Sequence, residues 1–387
     1  MHIAIYSPVF VRPTETFIYN AATGLVASGM QVSAIAETRD TADQCPFEPV
    51  YIVPMPGRFN PKRLLRRLLR PLLGMPPGGE QQHLHRKALH RTLLRIKPDV
   101  ILANYGPSGV LLAPVAQQLG IPLVVSFHGV DASSLALDPR WQQRYKAMFQ
   151  LVSAATGPSE YVKQKLVGLG CPDERAHVLH YGIKTDQILF SPPAKRFDNE
   201  ELRFLFVGRL AEKKDPVTLL RSFALAREAL LPLRSELTMA GDGPLRKTVE
   251  AEIAALGLAE HVHLLGRRTH EEIIQLFKTA HIYVQHSVTA PNGDEEGLPV
   301  SITEALASGL PVISTRHSGI PEAVVDDVTG LLVDEKDVQG MADKMVALAR
   351  DPERWDTYGT AGRKLLESEF AVPIVQKRLR TILAGPG

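Results

Sequence analysis

Short apolar segments rich in β-branched residues alternate with longer helix-like stretches along the whole chain. This alternation is typical of parallel strands that are buried on both faces, because the connecting helices cover the sheet. A polar, proline-rich stretch at 191–201 has no periodicity and is predicted to be a linker. The predicted fold class is α/β, with two Rossmann-like, doubly wound parallel-sheet domains facing across a cleft. The predicted strands are 3–6, 31–36, 50–53, 100–103, 123–126 and 152–156 before the linker, and 202–207, 237–240, 262–265, 282–284, 312–314 and 330–333 after it.

Length and composition allow two domains with full cores and exclude several other classes. The 387 residues are 44% hydrophobic and 22% charged, as in ordinary globular proteins. Cys45 and Cys171 are far apart in sequence and predict neither a disulfide framework nor a metal cluster. The apolar start reads as a first strand rather than a signal peptide, and no apolar run approaches the ~20 residues of a spanning helix. A cytoplasmic location is expected.

The stretch 293–313 reads as loop, helix, tight turn and buried strand. Pro299 suits a first helical position and Gly309 a residue just after the helix. Glu296 then lies before the helix and Glu304 about two turns inside it. Two carboxylates with free N–H groups between them suit a long, polyhydroxylated, anionic ligand. An ordinary loop-to-helix turn with two solvated glutamates is the alternative.

Glu-x7-Glu followed by Ala-Leu-Ala-Ser-Gly-Leu-Pro-Val resembles the donor-sugar signature of the retaining glycosyltransferases of family 4, which have the GT-B fold. The resemblance implies that Glu304 holds the donor ribose and Glu296 the transferred sugar. It implies an acceptor-binding domain at 1–190, a linker at 191–201 and a donor-binding domain at 202–369, with a C-terminal helix at 370–387 packing back on the first domain. The implied donor-binding residues also include Gly297, Leu298, Pro299 and Val300.

Gly208-Arg209-Leu210 followed by Lys214 resembles the diphosphate-binding loop of this family. Arg209 and Lys214 can clamp a diphosphate, since arginine offers paired donors and lysine a mobile charge. The family usually has glycine where this chain has Asp215, which leaves open whether Lys213 or Lys214 reaches the phosphates. Arg267 is at the position where members of this family bind the nucleotide base. Gly319 lies in a segment that resembles the family's loop close to the donor.

Phe127-His128-Gly129-Val130-Asp131 is similar to the family's His-Gly-x-Asp loop, which implies a catalytic His128 facing the transferred sugar. Asp131, Asn104 and Tyr105 are expected on the acceptor side, as are Thr14 and Glu15. The sequence around these last two resembles the exopolysaccharide branch of the family. Helix capping by a threonine is compatible with that role.

The chain has no Asp-x-Asp and no His/Cys cluster, so metal-assisted departure of the diphosphate is not expected, and no cofactor is predicted. Arg209, Lys214 and the helix N-terminus would neutralise the leaving nucleotide instead. A dehydrogenase is disfavoured, because Arg246 stands where the third glycine of a dinucleotide fingerprint should be.

Residues 58–97 contain eleven lysines and arginines against one acid, although the chain as a whole has a net charge of only +2. Leucines 65, 68, 69 and 72 recur at helical spacing with cations beside them. A basic amphipathic helix on anionic lipid is slightly favoured over a core-packed helix with a solvated side. Nucleic acid is a poor third candidate, because interleaved aromatic residues are lacking.

The sequence predicts a retaining, metal-independent hexosyltransferase of bacterial polysaccharide biosynthesis. It would transfer a hexose from a UDP- or GDP-sugar to a hydroxyl group of a glycan, plausibly lipid-linked, on the inner face of the cell membrane. An epimerase or phosphorylase on the same fold is the enzymatic alternative, and a non-catalytic membrane-associated scaffold the other. The sequence does not indicate the donor sugar, base, acceptor, linkage or oligomeric state.

Overall fold

A computed structural model of the protein describes residues 1–11, 16–40, 45–57, 79–198 and 200–385. The chain forms two compact units. The first comprises Met1–Pro158, Val162–Gly182 and Gln376–Gly387, and the second comprises Ser159–Tyr161 and Ile183–Val375. Each unit is built around one parallel sheet.

The sheet of the first unit has seven parallel strands in the order β3-β2-β1-β4-β5-β6-β7. Its helices lie between successive strands, as the alternating sequence predicts. The strands are β1 (His2–Val9), β2 (Gln31–Thr38), β3 (Val50–Ile52), β4 (Val100–Asn104), β5 (Leu123–Ser126), β6 (Ala154–Gly157) and β7 (Ala176–Val178). The helices between these strands are α1 (Thr16–Ala27), α2 (Gly79–Ile96), α3 (Gly106–Leu119), α4 (Pro139–Phe149) and α5 (Glu160–Gly168), and the first two residues of α5 are assigned to the second unit.

The sheet of the second unit has six parallel strands in the order β10-β9-β8-β11-β12-β13. These strands are β8 (Glu201–Val207), β9 (Arg234–Ala240), β10 (Val262–Gly266), β11 (Ile282–Val284), β12 (Val312–Thr315) and β13 (Gly330–Val333). The helices are α6 (Pro216–Ala229), α7 (Arg246–Ala255), α8 (His270–Thr279), α9 (Val300–Ala307), α10 (Ile320–Ala323), α11 (Val338–Ala349), α12 (Pro352–Leu365) and α13 (Val372–Ala384). The final helix passes from the second unit to the first, where Leu379 and Leu383 join the core.

All twelve predicted strands are present, with ends shifted by a few residues. The predicted α/β class and its two doubly wound sheets are confirmed. The sequence reading missed β7, because Ala176–Val178 is three residues long and follows a run of charged residues. Such a short edge strand pairs on one side only and needs no long apolar run.

Both sheets reverse their strand order, beside β1 and β4 in the first unit and beside β8 and β11 in the second. Ligands of open α/β sheets bind at the carboxyl ends of strands at such a reversal. The loops that carry the predicted site residues begin at these ends. Asn104 closes β4, His128 follows β5, and Gly208 follows β8.

Candidate active site

The loop after β8 directs two lysines at one carboxylate. Lys214 is only 8% exposed, and its Nζ lies 3.3 Å from Glu296 Oε1. Lys213 Nζ lies 3.9 Å from the same oxygen and 3.2 Å from Asp294 Oδ1. Lys213 also donates to the Glu295 carbonyl at 3.3 Å. Both lysines therefore belong to one charged cluster at the carboxyl edge of the sheet.

Burial and charge act in opposite directions within this cluster. Burial alone would raise the pKa of Glu296, but the positive charges of Lys214 and Lys213 outweigh it and hold that pKa below its ordinary value. Burial lowers the pKa of Lys214, and Glu296 opposes that shift only in part. Glu296 Oε1 is buried without an aligned hydrogen bond. The cluster thus contains a carboxylate oxygen able to accept a hydrogen bond from a hydroxyl group.

Asp215 stands where the family resemblance predicts glycine, and its backbone conformation suits either residue. Its φ of 32° lies in the left-handed region, which glycine enters freely and aspartate tolerates. The Asp215 carboxylate caps α6, accepting from the Thr218 backbone N–H at 3.2 Å and from its hydroxyl at 2.7 Å. The Asp215 carboxylate therefore serves as the N-cap of α6.

A buried histidine supports the loop that carries Glu296. His317 is 2% exposed, and its Nδ1 lies 2.6 Å from Glu335 Oε1. Its Nε2 accepts the Glu296 backbone N–H at 3.3 Å. The neighbouring Gly319 donates its N–H to the Gly297 carbonyl at 3.0 Å, and a Cβ on Gly319 would lie 2.4 Å from that oxygen. Glycine is thus required for this close approach of two backbones.

Helix α9 begins one residue later than the sequence predicted. Pro299 is the N-cap, with an extended ψ of 121°, and Val300 is the first helical residue. Among the described residues, none accepts the backbone N–H groups of Gly297, Leu298 and Val300. These donors meet the positive end of the helix dipole, so the loop offers an anion-binding surface. Gly309 follows the helix with a φ of 91°, as predicted.

Glu304 lies within α9 and is partly buried. Burial raises the pKa of its carboxyl group to about 7. The nearest basic group is His270, whose Nδ1 is 3.7 Å from Glu304 Oε1 and whose side chain is largely exposed. Glu304 is therefore poised to change charge near neutral pH, unlike Glu296.

Arg209 and Arg267 follow β8 and β10 at the same edge of the sheet, and both are exposed. Within the described part of the chain, the side chains of both arginines form no ion pair or hydrogen bond. They are free to contact a ligand but are not pre-positioned by the fold. Gly208 precedes Arg209, and a Cβ there would lie 3.5 Å from Lys214 Cε.

In the first unit, Asn104 and Tyr181 engage both ring nitrogens of His128. Asn104 Oδ1 lies 3.1 Å from Nε2, and the Tyr181 hydroxyl lies 3.1 Å from Nδ1. Burial lowers the pKa of His128 to about 3, so the ring is neutral at physiological pH. Tyr105 packs its ring edge-on at 4.8 Å, and Phe17 packs at 4.5 Å.

Asp131 lies beneath the His128 loop and is 1% exposed, so it is not placed to contact an acceptor. Its Oδ1 accepts the backbone N–H groups of His128 at 2.9 Å and Gly129 at 3.0 Å. Its Oδ2 accepts the Gly106 N–H at 2.9 Å. Asp131 therefore holds the loop in shape. Thr14 and Glu15 lie outside the described residues.

Sequence reasoning left Lys213 open as the alternative to Lys214 and did not assign roles to His317 or Tyr181. A lysine next to a motif lysine is a usable signal for the first. Tyr181 follows the short edge strand β7 and His317 follows the short interior strand β12, and neither position is more than a weak signal. Among the described residues, no group of three or more His, Cys, Asp or Glu side chains could hold a metal ion. None of the described helices is both long and apolar enough to cross a bilayer.

Solved structures of similar architecture have the GT-B fold. HepE of Anabaena, solved in complex with UDP, superimposes with a TM-score of 0.77 at 19% identity, covering 99% of this chain and 100% of that one. The two parallel-sheet units of the present chain define a protein of the same GT-B class.

Family models assign both halves of the chain. The model described as Glycosyltransferase Family 4 matches residues 14–187, and that described as Glycosyl transferases group 1 matches residues 188–365. The chain belongs to glycosyltransferase family 4, as its motifs predicted. It is 27% identical to the putative colanic acid biosynthesis glycosyltransferase WcaL of Escherichia coli and 29% identical to the amylovoran biosynthesis glycosyltransferase AmsK of Erwinia amylovora. Each alignment covers 99% of both chains.

Proposed function

We propose that the protein transfers a hexose, with retention of configuration, from a UDP- or GDP-linked sugar to a hydroxyl group of a glycan in bacterial polysaccharide biosynthesis. One observation carries the proposal: Lys213 and Lys214 converge on Glu296 beside the open N-terminus of α9. Cations and free N–H groups suit a diphosphate, while Glu296 and Glu304 suit hydroxyl groups. The relatives that act in colanic acid and amylovoran biosynthesis support this assignment.

In this mechanism the lysines, Arg209 and the helix N-terminus stabilise charge that develops on the leaving diphosphate, without a metal ion. The departing phosphate takes the acceptor proton on the same face as the broken bond, so the new glycosidic bond keeps the original configuration. Glu304 binds the donor ribose and Glu296 the transferred sugar. The first unit binds the acceptor.

A stabilisation screen tests the choice of donor. The full chain is melted with UDP-glucose, UDP-galactose, GDP-mannose and GDP-fucose in turn, because a ligand that binds only the folded protein raises its melting temperature. We expect the sugars of one nucleotide base to raise the melting temperature of the parent. The same sugars should raise that of the Glu304→Ala variant much less. Glu250→Ala, an exposed glutamate of α7, is the control and should respond like the parent. Equal stabilisation of Glu304→Ala and the parent would contradict the ribose assignment.

Product analysis separates this function from its rivals. A transferase releases nucleoside diphosphate and forms an acceptor glycoside. An epimerase would return an altered nucleotide sugar, a phosphorylase would require inorganic phosphate, and a scaffold would consume nothing. The anomeric coupling in the product's proton NMR spectrum tests retention, and an inverted anomer would exclude it.

A further inference from the structure

The two ring nitrogens of His128 are not equivalent in their surroundings. Nε2 faces the side-chain oxygen of Asn104 at 3.1 Å, and Nδ1 faces the hydroxyl of Tyr181 at 3.1 Å. A neutral imidazole has one donor nitrogen and one acceptor nitrogen, and its hydrogen-bond partners decide which is which.

The orientation of the Asn104 amide settles the assignment. Asn104 Nδ2 donates to the backbone carbonyl of Tyr6 at 3.2 Å, and that carbonyl can only accept. The amide oxygen must then point at His128, and an amide oxygen also can only accept. The imidazole proton is therefore on Nε2. Nδ1 keeps a lone pair, and at 3.1 Å it is a nearer acceptor for the Tyr181 hydroxyl than the His128 backbone carbonyl at 3.5 Å.

The ring is also fixed in its plane. Tyr181 stacks on His128 with an interplanar angle of 18°, Phe17 packs at 4.5 Å, and Tyr105 meets the ring edge-on. Asp131 fixes the backbone that carries the ring, because its carboxylate accepts the backbone N–H groups of His128 and Gly129. A flip of the ring would break both side-chain hydrogen bonds, so one orientation is selected.

We propose that Asn104 and Tyr181 are positioning residues that lock His128 as a neutral imidazole with its proton on Nε2. His128 then contributes fixed shape and polarity to the acceptor-side unit, and it neither donates nor accepts a proton in the transfer step. This role rests on the proposed glycosyl transfer, in which the departing phosphate accepts the acceptor proton. The lock itself is a property of the first unit and can be tested without turnover.

The direct test is a long-range proton–nitrogen NMR correlation of the histidine rings in the ¹⁵N-labelled full chain at pH 7. The His128 signal is the one lost in His128→Asn. We expect a protonated Nε2 and a hydrogen-bonded, unprotonated Nδ1. In Tyr181→Phe the proton should stay on Nε2, while the Nδ1 resonance moves to that of an unbonded nitrogen. A proton on Nδ1 in the parent, or an Nδ1 signal unmoved in Tyr181→Phe, would overturn the proposal.

Turnover supplies the second readout. Tyr19→Phe is the matched control, because the Tyr19 hydroxyl also donates once, at 3.1 Å, to the Pro46 carbonyl of the same unit. For release of UDP from UDP-glucose, or of GDP from GDP-mannose, Tyr181→Phe should lower kcat about three- to tenfold, the effect of one neutral hydrogen bond. KM for the nucleotide sugar should not change. A kcat equal to that of Tyr19→Phe would refute the positioning role. If the parent turns over neither sugar, the proposed function fails for these donors, while the NMR result still decides the lock.

Discussion

The carboxyl group of Glu304 combines a stability cost with a proposed binding role. Its pKa is raised from 4.5 to about 7 in the folded protein by burial. The folded state therefore binds this proton more tightly than the unfolded state. Stability should fall as pH rises from about 4.5 to about 7, and the cost should be complete above that pH. At 1.36 kcal/mol per pKa unit, the rise from 4.5 to about 7 corresponds to a cost of roughly 3 kcal/mol.

Glu304→Gln should therefore raise the melting temperature at pH 8 and leave it nearly unchanged at pH 4.5, since glutamine has no charge to bury. The same variant should bind the nucleotide sugar less tightly at pH 8, because a neutral amide accepts a ribose hydrogen bond more weakly than a carboxylate. Calorimetric melting and titration of the variant and parent measure both effects. A variant that is less stable than the parent at pH 8 would contradict the burial argument.

At the scale of elements, the start of α6 depends on a single residue. Asp215 has a φ of 32° and caps the helix through Thr218. Asp215→Ala loses the cap and introduces a residue that tolerates the left-handed region less well than aspartate, and together these effects cost about 2 kcal/mol. Asp215→Gly loses the cap but adopts the left-handed backbone conformation freely. Asp215→Asn keeps both the cap and the tolerance of that conformation.

The expected order of melting temperatures is Asp215→Asn close to the parent, then Asp215→Gly, then Asp215→Ala. Differential scanning calorimetry of the full chain measures the order. If Asp215→Ala and Asp215→Asn have the same melting temperature, the cap contributes nothing to stability and the account of Asp215 is wrong.

The sequence was sufficient to predict every named strand except β7, because each of the others contains a short apolar run. It predicted Glu296 and Glu304 as site residues because their spacing is part of a local motif. It could not choose between Lys213 and Lys214, since that choice depends on how the turn at Asp215 is built. It also could not pair Tyr181 with His128, because these residues are 53 positions apart and meet only when the strands form one sheet.

At the scale of the molecule, the positive charge is concentrated in residues 58–97, and residues 58–78 with the predicted leucine face lie outside the described chain. In the described part, α2 and the residue after it expose Lys87, Arg91, Arg95 and Lys97, and Leu94 beside them is 50% exposed. We propose that this segment attaches the enzyme to anionic lipid on the inner face of the cell membrane, where a lipid-linked acceptor would be found.

Co-sedimentation with vesicles of rising phosphatidylglycerol content tests this attachment. Each cation near an anionic surface contributes about 1 kcal/mol, so Lys87→Glu with Arg91→Glu should weaken binding more than tenfold. Salt should weaken parent binding as well. The control is Lys247→Glu with Lys377→Glu, two exposed lysines outside the segment. A parent that stays in solution with strongly anionic vesicles at low salt would make a soluble acceptor the better proposal.

The central claim is that the lysine cluster on Glu296 stabilises a leaving nucleoside diphosphate without a metal ion. The most direct measurement is the rate of nucleoside diphosphate release in EDTA, with UDP-glucose and GDP-mannose tested separately, for the parent, Lys214→Met and the control Lys247→Met. The parent and Lys247→Met should retain full activity in EDTA with one of these sugars. Lys214→Met should lose about a hundredfold or more in kcat, because its charge matters most as the bond breaks. Loss of parent activity in EDTA that magnesium restores, or a Lys214→Met rate equal to that of Lys247→Met, would contradict the claim.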